Sequence, residues 1–201
     1  MQTISPANAI QLLHTSDTIT LGFGPAFPVP FMEALGDRDD WQDLTIYAAI
    51  LPAYYDGLSR PNVKLRSLFF GPVERHMQAI GADIHYIPTD LRRQALFAKK
   101  NPTRVFICAV SPPDSDGYVS LSANATQYED IVACSQDPKR LLILIATAKL
   151  PPLLLLPQMY SCLLAPPSQR DTARDSFVPS PWHTSRCSRT ALHQTVQLAI
   201  I

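Results

Sequence analysis

Two polar turns, each directly after an apolar run, carry the residues best suited to contact a ligand. The first turn follows residues 105–110, an apolar run rich in β-branched residues that indicates a strand buried on both faces. Ser111-Pro112-Pro113-Asp114 then ends the strand with fixed φ angles, and Gly117 permits a positive φ before a short second strand up to residue 121. Because ligands of open α/β sheets bind outside the carboxyl ends of strands, this turn predicts the edge of a binding site.

The second turn is Gly22-Phe23-Gly24-Pro25, which lies between a predicted strand (18–23) and a predicted helix (28–35). Its backbone N–H groups and the start of the helix could face a carboxylate or an amide group of a ligand. The alternative is a tight turn that only packs the strand against the helix. The glycine spacing does not match G-x-G-x-x-G, so the sequence does not predict a dinucleotide-binding loop.

The other polar residues near these turns allow both a binding and a structural interpretation. Ser111 or Asp114 could contact a ligand, but an Asp in such a turn commonly bonds its own backbone. We expect Tyr118 to be a packed ring with its hydroxyl at the surface. Asn124 and Gln127 could line the same cleft, although a solvated helix start is the default interpretation for both.

Charge and cysteine spacing argue against several function classes. The chain has 201 residues with 17 basic and 17 acidic side chains, and this zero net charge argues against nucleic acid as a partner. The four cysteines are far apart and form no C-x-x-C pair, which predicts free buried thiols in a reducing cytosol and no metal site. His76 and His85 have no identifiable Ser or Cys partner, so we expect them at the surface.

Neither a targeting segment nor a membrane span is predicted. The first residues show no basic region followed by an apolar one, as a secretory signal would. The most apolar stretch, residues 141–156, is interrupted by Lys149 and by Pro151-Pro152, and it is shorter than the roughly 20 residues of a spanning helix. We therefore expect a cytoplasmic protein with no membrane partner.

Strands and helices alternate along the chain, which predicts an α/β fold with a mostly parallel sheet flanked by helices. The predicted strands are 18–23, 44–49, 66–70, 83–87, 105–110 and 140–145, and the predicted helices are one capped by Ser5 and then 28–35, 73–80, 91–100 and 125–135. After residue 145 glycine and glutamate are absent, and proline, serine and threonine are frequent. We therefore predict an α/β domain over 1–145 and a divergent tail over 146–201, which is either poorly ordered or frame-disrupted.

Four segments of residues 5–145 occur in an order and spacing shared with a known family. They are Ser16-Asp17-Thr18-Ile19-Thr20-Leu21-Gly22-Phe23-Gly24 with Pro28 and the helix at 31–35, Ser67-Leu68-Phe69-Phe70-Gly71 with Arg75, Asp83-Ile84-His85-Tyr86-Ile87-Pro88, and Val110-Ser111-Pro112-Pro113-Asp114 with Gly117-Tyr118 and Ser120-Leu121. In these segments the chain resembles the N-terminal half of the acetyl-CoA hydrolase/transferase family, which includes acetate and 4-hydroxybutyrate CoA-transferases.

The resemblance implies a CoA-transferase-like domain whose reaction passes through a glutamyl-CoA thioester. In that family the nucleophilic glutamate and its glycine-rich loop belong to the C-terminal half, which this sequence lacks. Glu33, Glu74 and Glu129 match no nucleophile motif, so no catalytic residue is assigned. The resemblance places the following residues on the wall of a cleft for a CoA thioester: Gly22, Phe23, Gly24, Pro25, Ser111, Pro112, Asp114, Gly117 and Tyr118.

The implied function is that of one half of an acyl-CoA hydrolase or CoA-transferase that moves CoA between an acyl-CoA and a short carboxylate such as acetate. We expect the chain to be inactive alone, to hold no permanent cofactor, and to form a homo-oligomer or pair with a separate C-terminal half. The alternative is a non-catalytic remnant or an interaction module that pairs with such a half. A sugar-phosphate-binding domain is a third class, but the basic or Gly/Ser/Thr-rich loop it needs is not evident.

Overall fold

The computed structural model describes residues 2–114, 119–121, 127–148, 150 and 199–200. The main strands are β2 (Ser16–Leu21), β3 (Asp43–Ala48), β4 (Val63–Ser67), β5 (Asp83–Tyr86), β6 (Val105–Val110) and β7 (Leu141–Ala146), and the two-residue strands β1 (Gln2–Thr3) and β8 (Ala199–Ile200) lie at one edge. The helices are α1 (Pro6–Ile10), α2 (Val29–Leu35), α3 (Pro72–Ala79), α4 (Gln94–Lys100) and α5 (Tyr128–Gln136).

All strand pairs in the described residues are parallel, and the strand order is β1-β8-β7-β6-β2-β3-β4-β5. The predicted α/β class with a parallel sheet is thereby confirmed. The chain builds outward from β2 to β5 and then returns through α4 to place β6 on the other side of β2. The strand order therefore reverses between β2 and β6, and such a reversal is where open α/β sheets bind ligands.

The sheet separates two apolar cores. The larger core packs α1, α2 and α3 against one face and fully encloses Ile46 and Leu65 of the central strands. The smaller core packs α5 against the other face, where Ile131 joins Phe106 and Leu142. Every residue of β6 is buried, as its unbroken apolar sequence predicts, because packed side chains cover both of its faces.

The predicted helix cap, the predicted helix end and the predicted buried thiols are present in the structure. Ser5 caps α1, since its Oγ accepts a 3.2 Å hydrogen bond from the Asn8 N–H. Gly81 follows α3 with a φ of +101°, a conformation that glycine adopts without strain. Cys108 and Cys134 are buried thiols that form no disulfide, which agrees with the prediction for this part of the chain.

Three predicted strand positions differ from the structure. Strand β2 begins and ends two residues before the predicted 18–23. Strand β4 begins at Val63 rather than at 66, because its buried side chains alternate from Val63 to Ser67 and its last register pair joins Ser67 to Ala48. The apolar run 68–70 led to the prediction of a strand at 66–70, but it follows the last paired residue, Ser67. Residues 119–121 form no strand, although they are bound to the end of β6 as described below.

The predicted tail is described only at residues 146–148, 150 and 199–200, and its other residues lie outside the described part of the chain. In the described ranges no helix combines the length and the apolar character needed to cross a membrane.

Candidate functional site

The two turns singled out in the sequence meet at the reversal of strand order. Strand β2 pairs with β6 up to Leu21, which lies opposite Ile107, and the Gly22 N–H donates a 2.7 Å hydrogen bond to the Ile107 carbonyl. The turn 22–25 therefore leaves the sheet beside β6. The turn that starts at Ser111 leaves the same edge at the end of β6, so the candidate site lies between two adjacent parallel strands.

Gly22 is required by the close approach of its neighbours. A Cβ added to Gly22 would lie 2.3 Å from the Ala26 carbonyl oxygen and 2.6 Å from the Cys108 Cβ, and both distances are shorter than any real contact. Gly24 adopts a φ of +52° and starts a single 3₁₀ turn that leads toward α2. The turn therefore requires both glycines. Pro25 is the second residue of the 3₁₀ helix and is exposed.

The backbone donors of this turn are largely used within the protein. The Gly22 N–H bonds Ile107, and the Phe23 N–H donates to Gln127 Oε1 at 3.1 Å. Pro25 has no N–H. Within the described contacts, the Gly24 N–H is the one donor of the turn left to face a ligand, so the predicted row of backbone donors is reduced to a single group.

Gln127 holds the turn in place, and the expected solvated position for this residue is wrong. Its side chain is buried, with 3% of the residue exposed, and its Nε2 donates to the Leu21 carbonyl at 3.0 Å. Together with the bond from Phe23, the amide pairs both backbone groups that flank Gly22, much as a neighbouring strand would. The sequence offered no periodic signal for this role, because the contact joins positions more than 100 residues apart.

Ser111 connects β6 to residues 119–121. Its N–H donates to the Ser120 carbonyl at 3.0 Å, and its Oγ accepts from the Ser120 N–H at 2.8 Å and donates to the Pro112 carbonyl at 3.1 Å. Ser111 is buried, and Val119 and Leu121 pack into the smaller core. The side-chain oxygen that was predicted as a ligand contact is thus already bonded within the fold.

The rest of this predicted wall divides into exposed and undescribed residues. Phe23 is half-buried, while Pro112 and Asp114 are exposed at the end of β6. Gly117, Tyr118 and Asn124 lie outside the described residues. Of the predicted wall residues that the structure describes, Phe23, Gly24, Pro25, Pro112 and Asp114 therefore remain within reach of a ligand.

A buried carboxyl group supports the neighbouring strand ends. Glu74 is fully buried, and its two oxygens accept from the Leu51 N–H at 2.7 Å and from the Gly71 N–H at 3.0 Å. These donors lie in the loops after β3 and β4, so one side chain joins both loops. Ile50, beside Leu51, has a φ of +40°, which is an uncommon conformation for a β-branched residue and marks this loop as strained.

Two further glutamates and two histidines make no described contact with the turns. Glu33 is exposed on α2, and Glu129 is exposed on the first turn of α5. His76 and His85 are exposed, as predicted. Glu74 already accepts hydrogen bonds from both loops and is buried. None of the three glutamates is therefore both exposed to a substrate and surrounded by hydrogen-bond donors, as a nucleophile would be.

No family model matches the sequence, and no curated protein matches it. Solved structures do match. RipA from Yersinia pestis aligns with a TM-score of 0.64 and 24% identity over 75% of this chain and 38% of RipA. The acyl-CoA transferase YdiF from E. coli O157:H7, solved as a thioester complex with CoA, aligns with a TM-score of 0.54 and 11% identity over 80% of this chain and 44% of YdiF.

A 4-hydroxybutyrate CoA-transferase from Porphyromonas gingivalis aligns more weakly, with a TM-score of 0.48 and 17% identity over 75% of this chain and 34% of that enzyme. The chain thus spans less than half the length of these structures. It shares the α/β fold of a CoA-transferase domain, and the likeness to YdiF and RipA is one of fold.

Proposed function

We propose that this chain acts as the N-terminal half of an acyl-CoA hydrolase or CoA-transferase and forms one wall of its active site. In the transferase reaction CoA moves between an acyl-CoA and a short carboxylate such as acetate. The observation that carries the proposal is that the turns at Gly22 and Ser111 lie side by side where the strand order reverses. The fold is shared with an acyl-CoA transferase that was solved as a thioester complex with CoA. The exposed Asp114 and the Gly24 N–H are the polar groups of this wall.

The nucleophile of the reaction comes from a second half and not from this chain. Glutamyl-CoA formation needs a carboxylate that attacks the thioester carbonyl and donors that stabilise the resulting oxyanion. Glu33 and Glu129 are exposed, no described hydrogen bond gives either of them a set of donors, and Glu74 uses both oxygens to hold loops. We therefore propose that the chain binds CoA thioesters but is inactive until it pairs with a C-terminal half, as a cytoplasmic protein.

The test uses the purified full chain in two assays. Isothermal titration with CoA should show binding, and exchange of labelled acetate into acetyl-CoA should be absent with the chain alone. Adding a separately produced C-terminal half of an acetate CoA-transferase, with its glutamate, should produce exchange.

Two control variants separate the parts of the proposal. Replacing that partner glutamate by glutamine should abolish exchange, whereas Glu33→Gln in this chain should leave it unchanged. Absence of CoA binding would overturn the proposed function. Exchange by the chain alone at an enzymatic rate would overturn the assignment of the nucleophile to a second half.

A further inference from the structure

A basic cavity lies at the amino ends of β2, β6 and β7, at the opposite edge of the sheet from the candidate site. It has a volume of about 280 Å³ and is lined by four basic side chains, which are His14, Arg104, Lys139 and Arg140. Its other described lining residues are neutral, so no acidic side chain of the described residues lines it. In a chain with 17 basic and 17 acidic side chains, this local excess of basic groups points to an anionic occupant.

The Arg104 guanidinium is held in place by a buried carboxylate. Its Nε donates to Asp17 Oδ1 at 2.8 Å, and its Nη2 bonds Asp17 Oδ2 and the Leu12 carbonyl. The Asp17 side chain is 1% exposed, whereas that of Arg104 is 25% exposed. The Nη1 group of Arg104 makes no hydrogen bond with a described residue, so both of its N–H groups can serve an occupant of the cavity.

Arg140 is fixed in a similar way. Its Nε donates to the Thr103 carbonyl at 2.6 Å, its Nη2 donates to Asp130 Oδ1 at 3.0 Å, and both side chains of this ion pair are 9% exposed. Its Nη1 group also makes no hydrogen bond within the described part of the chain. Because ion pairs hold both guanidinium groups, an anion can bind their Nη1 donors with little further loss of side-chain entropy.

Lys139 and His14 add two side chains that have no described partner. Both residues are exposed. Their backbone N–H groups donate to carboxylates, from Lys139 to Asp137 at 2.9 Å and from His14 to Asp17 at 3.0 Å. The Lys139 ammonium and the His14 ring form no ion pair or hydrogen bond with the residues that the structure describes. Lys139 therefore brings to the cavity a positive charge that is not used in the fold.

We propose that this cavity binds a small phosphorylated ligand, whose phosphate oxygens accept hydrogen bonds from Nη1 of Arg104, Nη1 of Arg140 and the Lys139 ammonium. A phosphate monoester has three terminal oxygens and nearly two negative charges, which suit three cations better than the two oxygens and single charge of a carboxylate. The cavity volume is about 20 times the roughly 10–15 Å³ that one water molecule needs, so a small organic group fits beside the phosphate.

The cavity is separated from the candidate site by the length of β6. Six residues at roughly 3.3 Å each place the two ends of this strand about 20 Å apart. The turns at Gly22 and Ser111 leave one end of the sheet, and Arg104 and Arg140 directly precede β6 and β7 at the other. The proposal therefore concerns a second ligand and does not rest on the proposed function.

The experiment is isothermal titration of the full chain at low ionic strength with inorganic phosphate, glycerol 1-phosphate and acetate. Both phosphates should bind with a Kd of about 1 mM or tighter, and acetate should bind about tenfold more weakly. Lys139→Met, which keeps the side-chain length, should weaken phosphate about fivefold, and Lys139→Glu should weaken it more than about tenfold. Lys100→Met and Lys100→Glu, at an exposed position at the end of α4, are the matched controls and should not change binding.

A titration with CoA separates this proposal from the proposed function, because CoA carries a phosphate of its own. Saturating phosphate and Lys139→Glu should both leave the affinity for CoA unchanged. If CoA competes with phosphate and binds Lys139→Glu more weakly, the cavity takes the phosphate of CoA and the second site is overturned. Absence of phosphate binding, equal phosphate affinity of Lys139→Glu and the wild type, or acetate binding as tight as phosphate binding also overturns the proposal. Failure of CoA to bind overturns the proposed function alone.

Discussion

Replacing Gln127 by methionine tests how the candidate site is held together. The Gln127 side chain is buried, and its amide bonds the Leu21 carbonyl and the Phe23 N–H on either side of Gly22. Methionine has nearly the same length and volume but neither donates nor accepts a comparable hydrogen bond. In Gln127→Met the Leu21 carbonyl stays buried without a partner, and the turn loses its link to α5.

The magnitude follows from the burial of the two bonds. The bond to Leu21 is buried, and a buried polar group left unpaired costs about 1–3 kcal/mol. The bond from Phe23 is part-buried, and such a bond contributes about 0.5–1.5 kcal/mol. We therefore expect Gln127→Met to lower the free energy of unfolding by about 1.5–4.5 kcal/mol, a large share of the roughly 5–15 kcal/mol of a typical domain.

Urea unfolding followed by circular dichroism measures this change. The control is Gln136→Met on the same helix, which is exposed and should change stability by less than about 0.5 kcal/mol. The urea concentration at the unfolding midpoint should be lower for Gln127→Met, whereas the slope of the unfolding free energy against urea concentration should not change. If the two variants unfold alike, the amide does not hold the turn and the reasoning is wrong.

Three further predictions concern the groups around the site. Gly22→Ala should abolish folding or lower the free energy of unfolding by more than about 3 kcal/mol in urea titration, because its Cβ would overlap the Ala26 carbonyl; Gly36→Ala, with no contact under 3.5 Å, is the tolerated control. Glu74→Gln keeps one acceptor oxygen for two backbone donors, so the free energy of unfolding in urea titration should fall by about 1–3 kcal/mol. Unchanged stability would contradict the supporting role of this carboxyl group. Burial raises the pKa of the Cys134 thiol to about 12, above the value of about 8.5 in an unfolded chain, so stability should fall as pH rises from 8.5 toward 12. Peptide mass spectrometry should find Cys134 unalkylated at pH 8 until the chain unfolds, and rapid labelling of the folded chain would refute this.

Short-range patterns were sufficient to predict the fold class. The unbroken apolar run of β6 predicted a strand covered on both faces, and the alternation of strands and helices predicted a parallel sheet. Strand β4 was misplaced by three residues because the apolar run after it outweighed a weaker alternation. Pairing with β3 decided that position, and such pairing depends on residues elsewhere in the chain.

The sequence by itself determined where the chain turns, because glycine and proline act on their own backbone angles. It therefore located the turns at Gly22 and Ser111 without any knowledge of the sheet. Only the tertiary structure decided that these turns meet and that Gln127 bonds the backbone on either side of Gly22. The reason is physical: a hydrogen bond depends on distance in space, and the register of β2 against β6 sets that distance for residues far apart in sequence.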